Sequence, residues 1–207
     1  MEVEHMKNAK DYLGMAYKID QRIESKIDQV DSLNALATKA TSTISDMPGS
    51  ATWNFHRMED VITKIIDLQE SINNDIDALV DLKAEITGMI KRIDNLEYQT
   101  VLEQRYLCFT PWEQIAINMN YGVQNVFRYH RLALVDMDTL LSELDAELKD
   151  AFEEAVKESD ADKSLDSIYA FEDLLQTDAY YGFPAFLIDE YVEKIRMFEA
   201  QFTSTEK

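Results

Sequence analysis

The chain has 207 residues, 46% of them hydrophobic and 29% charged, with 40 acidic against 20 basic side chains and a formal net charge of −20. It is long enough to bury a core, and its 5 Gly and 3 Pro leave little turn chemistry, which favours long helices over many loops. Its one cysteine, Cys108, excludes an internal disulfide framework, and there is no CxxC or Cys/His cluster.

No charged-then-apolar leader opens the chain, and it has no apolar run of about 18 residues, so a cytoplasmic protein without a membrane partner is expected. From about Asn8 to Ile44, apolar residues recur at Ala16, Ile19, Ile23, Ile27, Val30, Leu33, Ala37, Ala40 and Ile44. These steps of three and four predict a long amphipathic helix, stopped by the DMPGS break at Asp46 to Ser50. A second helix is predicted from about Arg57 to Leu96, with Val61, Ile65, Leu68, Ile72, Ile76, Leu79, Ile86, Ile90 and Ile93 on its stripe. Each would run on the order of 55–60 Å. An antiparallel hairpin zipped along both stripes, as a domain over residues 1–97, is the expected arrangement. The same stripes could pair between two copies in a homodimer.

Residues 98–144 read as a short helix, a second helix and a long third one, with the break NYG between the last two. Trp112, Ile115, Ala116 and Met119 fall on one face of the second helix, and Val123, Val126, Phe127 and Leu134 on one face of the third. Thr110 suits the cap of the middle helix, Pro111 its first position, and Glu113 lies three residues after the cap. Two amphipathic helices joined at a sharp angle through a turn containing Gly122 predict a helix-turn-helix.

The run RY, TPWEQIA, NYG and NVFRYHRLAL resembles the region-4 helix-turn-helix of bacterial sigma factors. More closely, it is similar to a family of phage proteins of unknown function from Gram-positive hosts, in which that module follows a long helical hairpin. The similarity covers roughly the first two thirds of the chain. Its most specific residues are Arg105, Tyr106, Trp112, Ile115, Ala116, Tyr121, Arg128, His130, Ala133 and Leu134. It implies a phage or prophage origin, a bacterial host cell as location, and a transcriptional role; it implies no enzyme. One departure stands out. Where the family opens its third helix with a small hydroxyl residue and basic side chains, this chain has Gly122 followed by Val123, Gln124 and Asn125.

Gln124 and Asn125 could pair with an adenine edge, while Arg128, His130 and Arg131 could touch phosphates. The charge distribution weighs against strong DNA binding. Residues 1–98 hold 18 acids and 11 bases, residues 99–141 hold 4 and 3, and residues 142–207 hold 18 and 6. DNA-binding domains usually carry a basic stripe, and none is present.

The third helix is expected to continue into Ser142 to Glu158. Its apolar edge is Leu141, Leu144, Leu148, Ala151, Phe152 and Ala155, and a carboxylate row follows the other edge: Glu143, Glu147, Asp150, Glu154 and Glu158. Such a row, with side chains about 5–6 Å apart, could imitate a nucleic-acid backbone and occupy the cationic groove of a nuclease. A solvated helix face is the plainer reading. The run ESDADKS, Glu158 to Ser164, reads as a polar linker, and two shorter helices are predicted over Leu165–Gln176 and Pro184–Phe202. Between them Tyr180, Tyr181, Phe183 and Phe186 surround Gly182. They form either a partner-binding aromatic loop or the small core of an acidic C-terminal module over residues 145–207.

Asp160, Asp162, Ser164 and Asp166 take the first, third, fifth and seventh places of a calcium loop. Leu165 stands where that loop needs glycine and Phe171 where it needs glutamate, so the match fails. His5, His56 and His130 have no ligand spacing to one another, Trp53 and Trp112 read as core residues, and no nucleophile or phosphate-loop motif occurs. No metal, cofactor or catalysis is expected.

The expected fold class is all-α: helical hairpin, sigma region-4-like helix-turn-helix, and a small acidic helical module. The leading functional expectation is a non-enzymatic phage regulator that binds DNA through its helix-turn-helix and a partner through its acidic module. The alternative is an acidic nucleic-acid mimic that inhibits a basic host protein, most sharply an anti-CRISPR protein blocking a CRISPR effector nuclease and repressing its own gene. A coiled-coil scaffold is the third reading.

Overall fold

The computed structural model describes residues 8–42, 51–177, 180 and 182–205, excluding the side chains of 40–42, 51–57, 162 and 204–205. The DMPGS break, His5, Tyr181 and the side chains of Trp53 and His56 lie outside the described residues. Among the described residues the fold is all-helical, without strands. The helices are α1 (Ala9–Leu13), α2 (Met15–Ser42), α3 (Ala51–Ile90), α4 (Leu96–Leu102), a π-helical turn (Glu103–Leu107), α5 (Trp112–Met119), α6 (Val123–Asp162), α7 (Asp166–Leu175) and α8 (Ala185–Thr205).

Three boundaries depart from the sequence reading, each for a local reason. The first predicted helix is split at Gly14, with the short α1 ahead of it. Asn8 starts α1, its Oδ1 accepting the Asp11 N–H at 3.0 Å while its Nδ2 donates to the Asp11 carboxylate at 2.9 Å. The second predicted helix stops at Ile90 instead of Leu96, because Asn95 caps a new helix by accepting the Tyr98 N–H at 3.1 Å. The expected linker after Glu158 is largely helical, since α6 runs on to Asp162 and ends on Lys163 in the left-handed conformation. Ala, Asp and Glu without Gly or Pro give the helix no reason to stop earlier.

The chain divides into two compact units, Gly14–Lys83 and Met1–Leu13 with Ala84–Lys207. The expected boundary between residues 144 and 145 therefore falls within the second unit, in the middle of α6.

In Gly14–Lys83, α2 and α3 are linked by Asp75. Its carboxylate takes Arg22 at 2.7 Å and Lys26 at 2.6 Å, and Lys26 also donates to the Ser71 hydroxyl at 2.6 Å. Asp75 is buried and pairing with Lys26, with Arg22 adding to it, holds its carboxyl below the usual carboxylate range. Among the described side chains of this unit, only Ala16, Ile23, Val30 and Asp75 are buried. An open groove between the helices has a lining that includes Asp28, Gln29, Leu33, Lys64, Asp67 and Leu68.

In the other unit α6 is the spine. Val126, Ala133, Met137, Leu141, Leu144, Leu148 and Ala155 form one buried stripe, at the three- and four-residue steps that keep a long helix facing one way. Its first half meets α1, α4 and α5, and its second half meets α7 and α8. There Phe152 contacts the rings of Phe171 and Tyr191, at 5.9 and 6.0 Å, and the Tyr191 hydroxyl donates to Asp145 at 3.0 Å. Glu85 ties α1 and the start of α8 to α3 within this unit. One carboxylate oxygen accepts the buried Tyr12 hydroxyl at 2.7 Å, and the other accepts the Ala185 N–H at 3.0 Å.

Candidate functional site

The region expected to read DNA is built from α4, the π turn, α5 and the start of α6. Val101, Ile115, Ala116 and Val126 make its core, with Trp112, Met119, Val123 and Tyr129 packed around them. The π turn widens the helix so that the Cys108 N–H reaches the Glu103 carbonyl at 3.1 Å, and Thr110 N–H then returns to Gln104 at 2.9 Å. That return brings Arg105 back over α5: its guanidinium lies 4.6 Å from the Trp112 ring centroid and donates to the Thr110 carbonyl at 3.3 Å. Pro111, not Thr110, occupies the cap position of α5, and no side chain caps it. Pro111 reaches that place with extended ψ, leaving Trp112 as the first helical residue.

The turn between α5 and α6 also differs from its expectation. The left-handed residue is Asn120, at φ 56° and ψ 40°, and its N–H closes onto Ala116 and Ile117. Asparagine is among the few non-glycine residues that take this conformation at small cost. Gly122 is extended, at φ −69° and ψ 145°, and caps α6 with open space where a Cβ would stand. Its glycine character is not required by the backbone.

Gln124, Asn125, Arg128 and Arg131 are all exposed. Gln124, Arg128 and Arg131 follow steps of four and three and so share one edge of α6, with Asn125 beside them. The Arg128 guanidinium rests 5.2 Å from the Tyr129 ring. His130 stands apart from this set. It is half-buried between Tyr106, stacked at 5.7 Å, and Trp112, edge-on at 4.8 Å, and its Nε2 shares a 2.9 Å hydrogen bond with the Tyr106 hydroxyl. Burial, with Arg105 and Lys10 adding repulsion, pushes the imidazole down to about 4, and burial pushes the Tyr106 phenol up to about 12. A neutral, enclosed imidazole adds no positive charge for a phosphate.

The five carboxylates Glu143, Glu147, Asp150, Glu154 and Glu158 are exposed along α6, and among the described residues none has an ion-pair partner. Nearby, Lys149 lies 3.8 Å from Glu153, outside the row. The aromatic cluster is arranged differently. Tyr180 meets Phe171 at 6.4 Å and Phe183 at 5.1 Å, and Phe186 meets Tyr12 at 5.3 Å. These three rings are partly buried against their own unit. Among the described residues no group of His, Cys, Asp or Glu could hold a metal ion, and no helix is long and apolar enough to cross a membrane.

Residues 49–138 match the model of a family described as protein of unknown function (DUF1492). No curated protein and no solved structure matches the chain. The DUF1492 segment takes in α3, α4, the π turn, α5 and the first part of α6, including Gln124, Asn125, Arg128, His130 and Arg131. It ends before Glu143, so the carboxylate row, α7 and α8 lie outside the DUF1492 match.

Proposed function

We propose that this is a non-enzymatic regulatory protein of phage or prophage origin, cytoplasmic in a bacterial host, that binds DNA through α5 and α6 acting as a sigma region-4-like helix-turn-helix. The helical hairpin of α2 and α3 and the acidic module beyond residue 144 serve binding to other proteins. One observation carries the DNA reading: Gln124, Asn125, Arg128 and Arg131 stand together and exposed at the start of α6, the helix that follows the tight Asn120 turn. Gln124 and Asn125 supply base-edge donors and acceptors, and the two arginines supply phosphate contacts. With so few cations, affinity rests on the base contacts and on the partner. The test is a selection of bound sequences from a random duplex pool with the full chain, followed by titration of the selected site. Failure to enrich any sequence at low salt would reject the reading.

The carboxylate row, exposed and without an ion-pair partner among the described residues, favours a second reading, a nucleic-acid mimic that occupies the cationic groove of a host nuclease such as a CRISPR effector. Its test is inhibition of purified effector nucleases by the full chain. Replacement of Glu147, Asp150 and Glu154 by lysine should then restore nucleic-acid loading.

A further inference from the structure

Among its described side chains, the Gly14–Lys83 unit buries little core. Between Met58 and Lys83, α3 buries no apolar side chain, although two adjacent heptad stripes run along it. The first, Val61, Ile65, Leu68, Ile72, Asp75 and Leu79, belongs to the side bonded to α2 through Asp75. The second lies one residue on, hence about 100° round the helix. It reads Glu59, Ile62, Ile66, Gln69, Asn73, Ile76, Val80 and Lys83, in unbroken alternating steps of three and four. Its four aliphatic side chains are 49%, 57%, 41% and 60% exposed in that order. Nothing in such a spacing is needed by a solvated face, whereas alternating steps of three and four keep a seam on one side of a helix for the length of a packed pair.

The second stripe is also self-complementary. In order it presents an acid, two aliphatics, an amide, a second amide, two aliphatics and a base. Reversed against itself, Ile62 meets Val80, Ile66 meets Ile76, Gln69 meets Asn73, and Glu59 meets Lys83. A two-fold axis beside Ser71 generates all four pairs at once, as an isologous interface requires. A parallel pairing would set Glu59 on Glu59 and Lys83 on Lys83. We propose that this seam of α3 is a homodimer interface, covered by α3 of a second copy running antiparallel. Charge opposition at its ends sets the direction, and the central Gln69–Asn73 pairs fix the register in the way buried amides do in coiled coils. The two contact faces of α3, about a quarter-turn apart, then suit a four-helix arrangement of two copies. The inference does not depend on whether the chain binds DNA.

Sedimentation equilibrium of the full chain should show a dimer at micromolar concentration, and Ile66→Asp with Ile76→Asp should make it monomeric. Glu59→Lys should weaken the dimer about tenfold by placing like charges at both ends, and adding Lys83→Glu should restore it. Direction is read by disulfide trapping in a Cys108→Ser background. A mixture of Ile66→Cys and Ile76→Cys chains should cross-link 66 to 76, while either chain alone should not. A monomeric wild-type chain, a dimer indifferent to the paired aspartates, or trapping of Ile66→Cys with itself would overturn the proposal. The trapping experiment leaves the interface nearly intact, so it decides the matter even if the aspartate variant unfolds.

Discussion

The Tyr106 hydroxyl and His130 Nε2 lie 2.9 Å apart, joining the π turn to α6. His130 is held neutral there, its pKa down at about 4 from an unfolded value of 6.5. Between those values the unfolded chain takes up a proton that the folded chain refuses. The stabilisation is therefore complete above about pH 6.5 and is lost as pH falls towards 4.

The His130 contribution is on the order of 2 kcal/mol once its partial exposure is discounted. His130→Phe should flatten the fall in stability between about pH 7 and pH 5 relative to wild type. At neutral pH it should cost about 1 kcal/mol, because the Tyr106 hydroxyl loses its partner. Urea unfolding at the two pH values checks both effects.

Asp75 should be intolerant of removal. Asp75→Ala leaves Lys26, whose side chain is 19% exposed, without its carboxylate, and should destabilise by about 3 kcal/mol. Arg22→Ala should cost less than about 1 kcal/mol, since Arg22 is 55% exposed. Asp75→Leu with Lys26→Met should recover most of the loss, as an apolar pair of similar size can replace a buried ion pair. Thermal melts of the four proteins measure this. The depressed Asp75 pKa adds stability that is present above the usual carboxylate range and lost as pH falls through the folded value.

The turn ahead of α6 gives opposite signs two residues apart. Asn120→Ala forces a Cβ-bearing residue without a helpful side chain into the left-handed region and should cost about 1 kcal/mol. Asn120→Gly should be close to neutral. Gly122→Ser should stabilise by roughly 0.5 kcal/mol, because its backbone is already extended, its Cβ has room, and a hydroxyl can cap α6. Chemical denaturation midpoints separate the three.

Ser159 is fully buried in α6, and its hydroxyl has no hydrogen-bond partner among the described residues. Ser159→Ala should raise stability by about 1 kcal/mol, combining relief of an unsatisfied polar group with better helix propensity. A rise in melting temperature without loss of helicity is the expected readout.

For DNA binding, Arg128→Ala and Arg131→Ala should each reduce the slope of log affinity against log salt by about 1 and weaken all sequences alike. Gln124→Ala should instead relax preference at one base pair, at about 1–3 kcal/mol of discrimination. Fluorescence anisotropy over a salt series, with single-base variants of the selected site, distinguishes the two. His130→Phe should leave the salt slope unchanged, because that imidazole carries no charge at neutral pH.

Much of the helical layout is legible in the sequence. The periodic stripes of α2, α3 and α6 are long, so a few residues of boundary error do not alter their identity. The misplaced boundaries had weak but readable signals. Asn95 opens a helix three residues before Tyr98, and Asn120 precedes a Tyr-Gly pair, where a left-handed residue is common. Glycine is the usual marker of such a turn, yet the φ of −69° at Gly122 is open to any residue. The π turn was not legible, since its extra residue is justified only by where it delivers Arg105.

Composition and periodicity alone determined that this is a helical protein with two long amphipathic helices, a tight two-helix module and an acidic end. Local spacing suffices for that, because each stripe is written in consecutive turns of one helix. Only the tertiary structure decided which side chains stay available. His130 turns inward to Tyr106 while Arg128 and Arg131 stay out, Phe186 is taken by Tyr12, and the α3 seam from Ile62 to Val80 is left uncovered. Those outcomes depend on neighbours distant in the chain, and helical spacing carries no information about them.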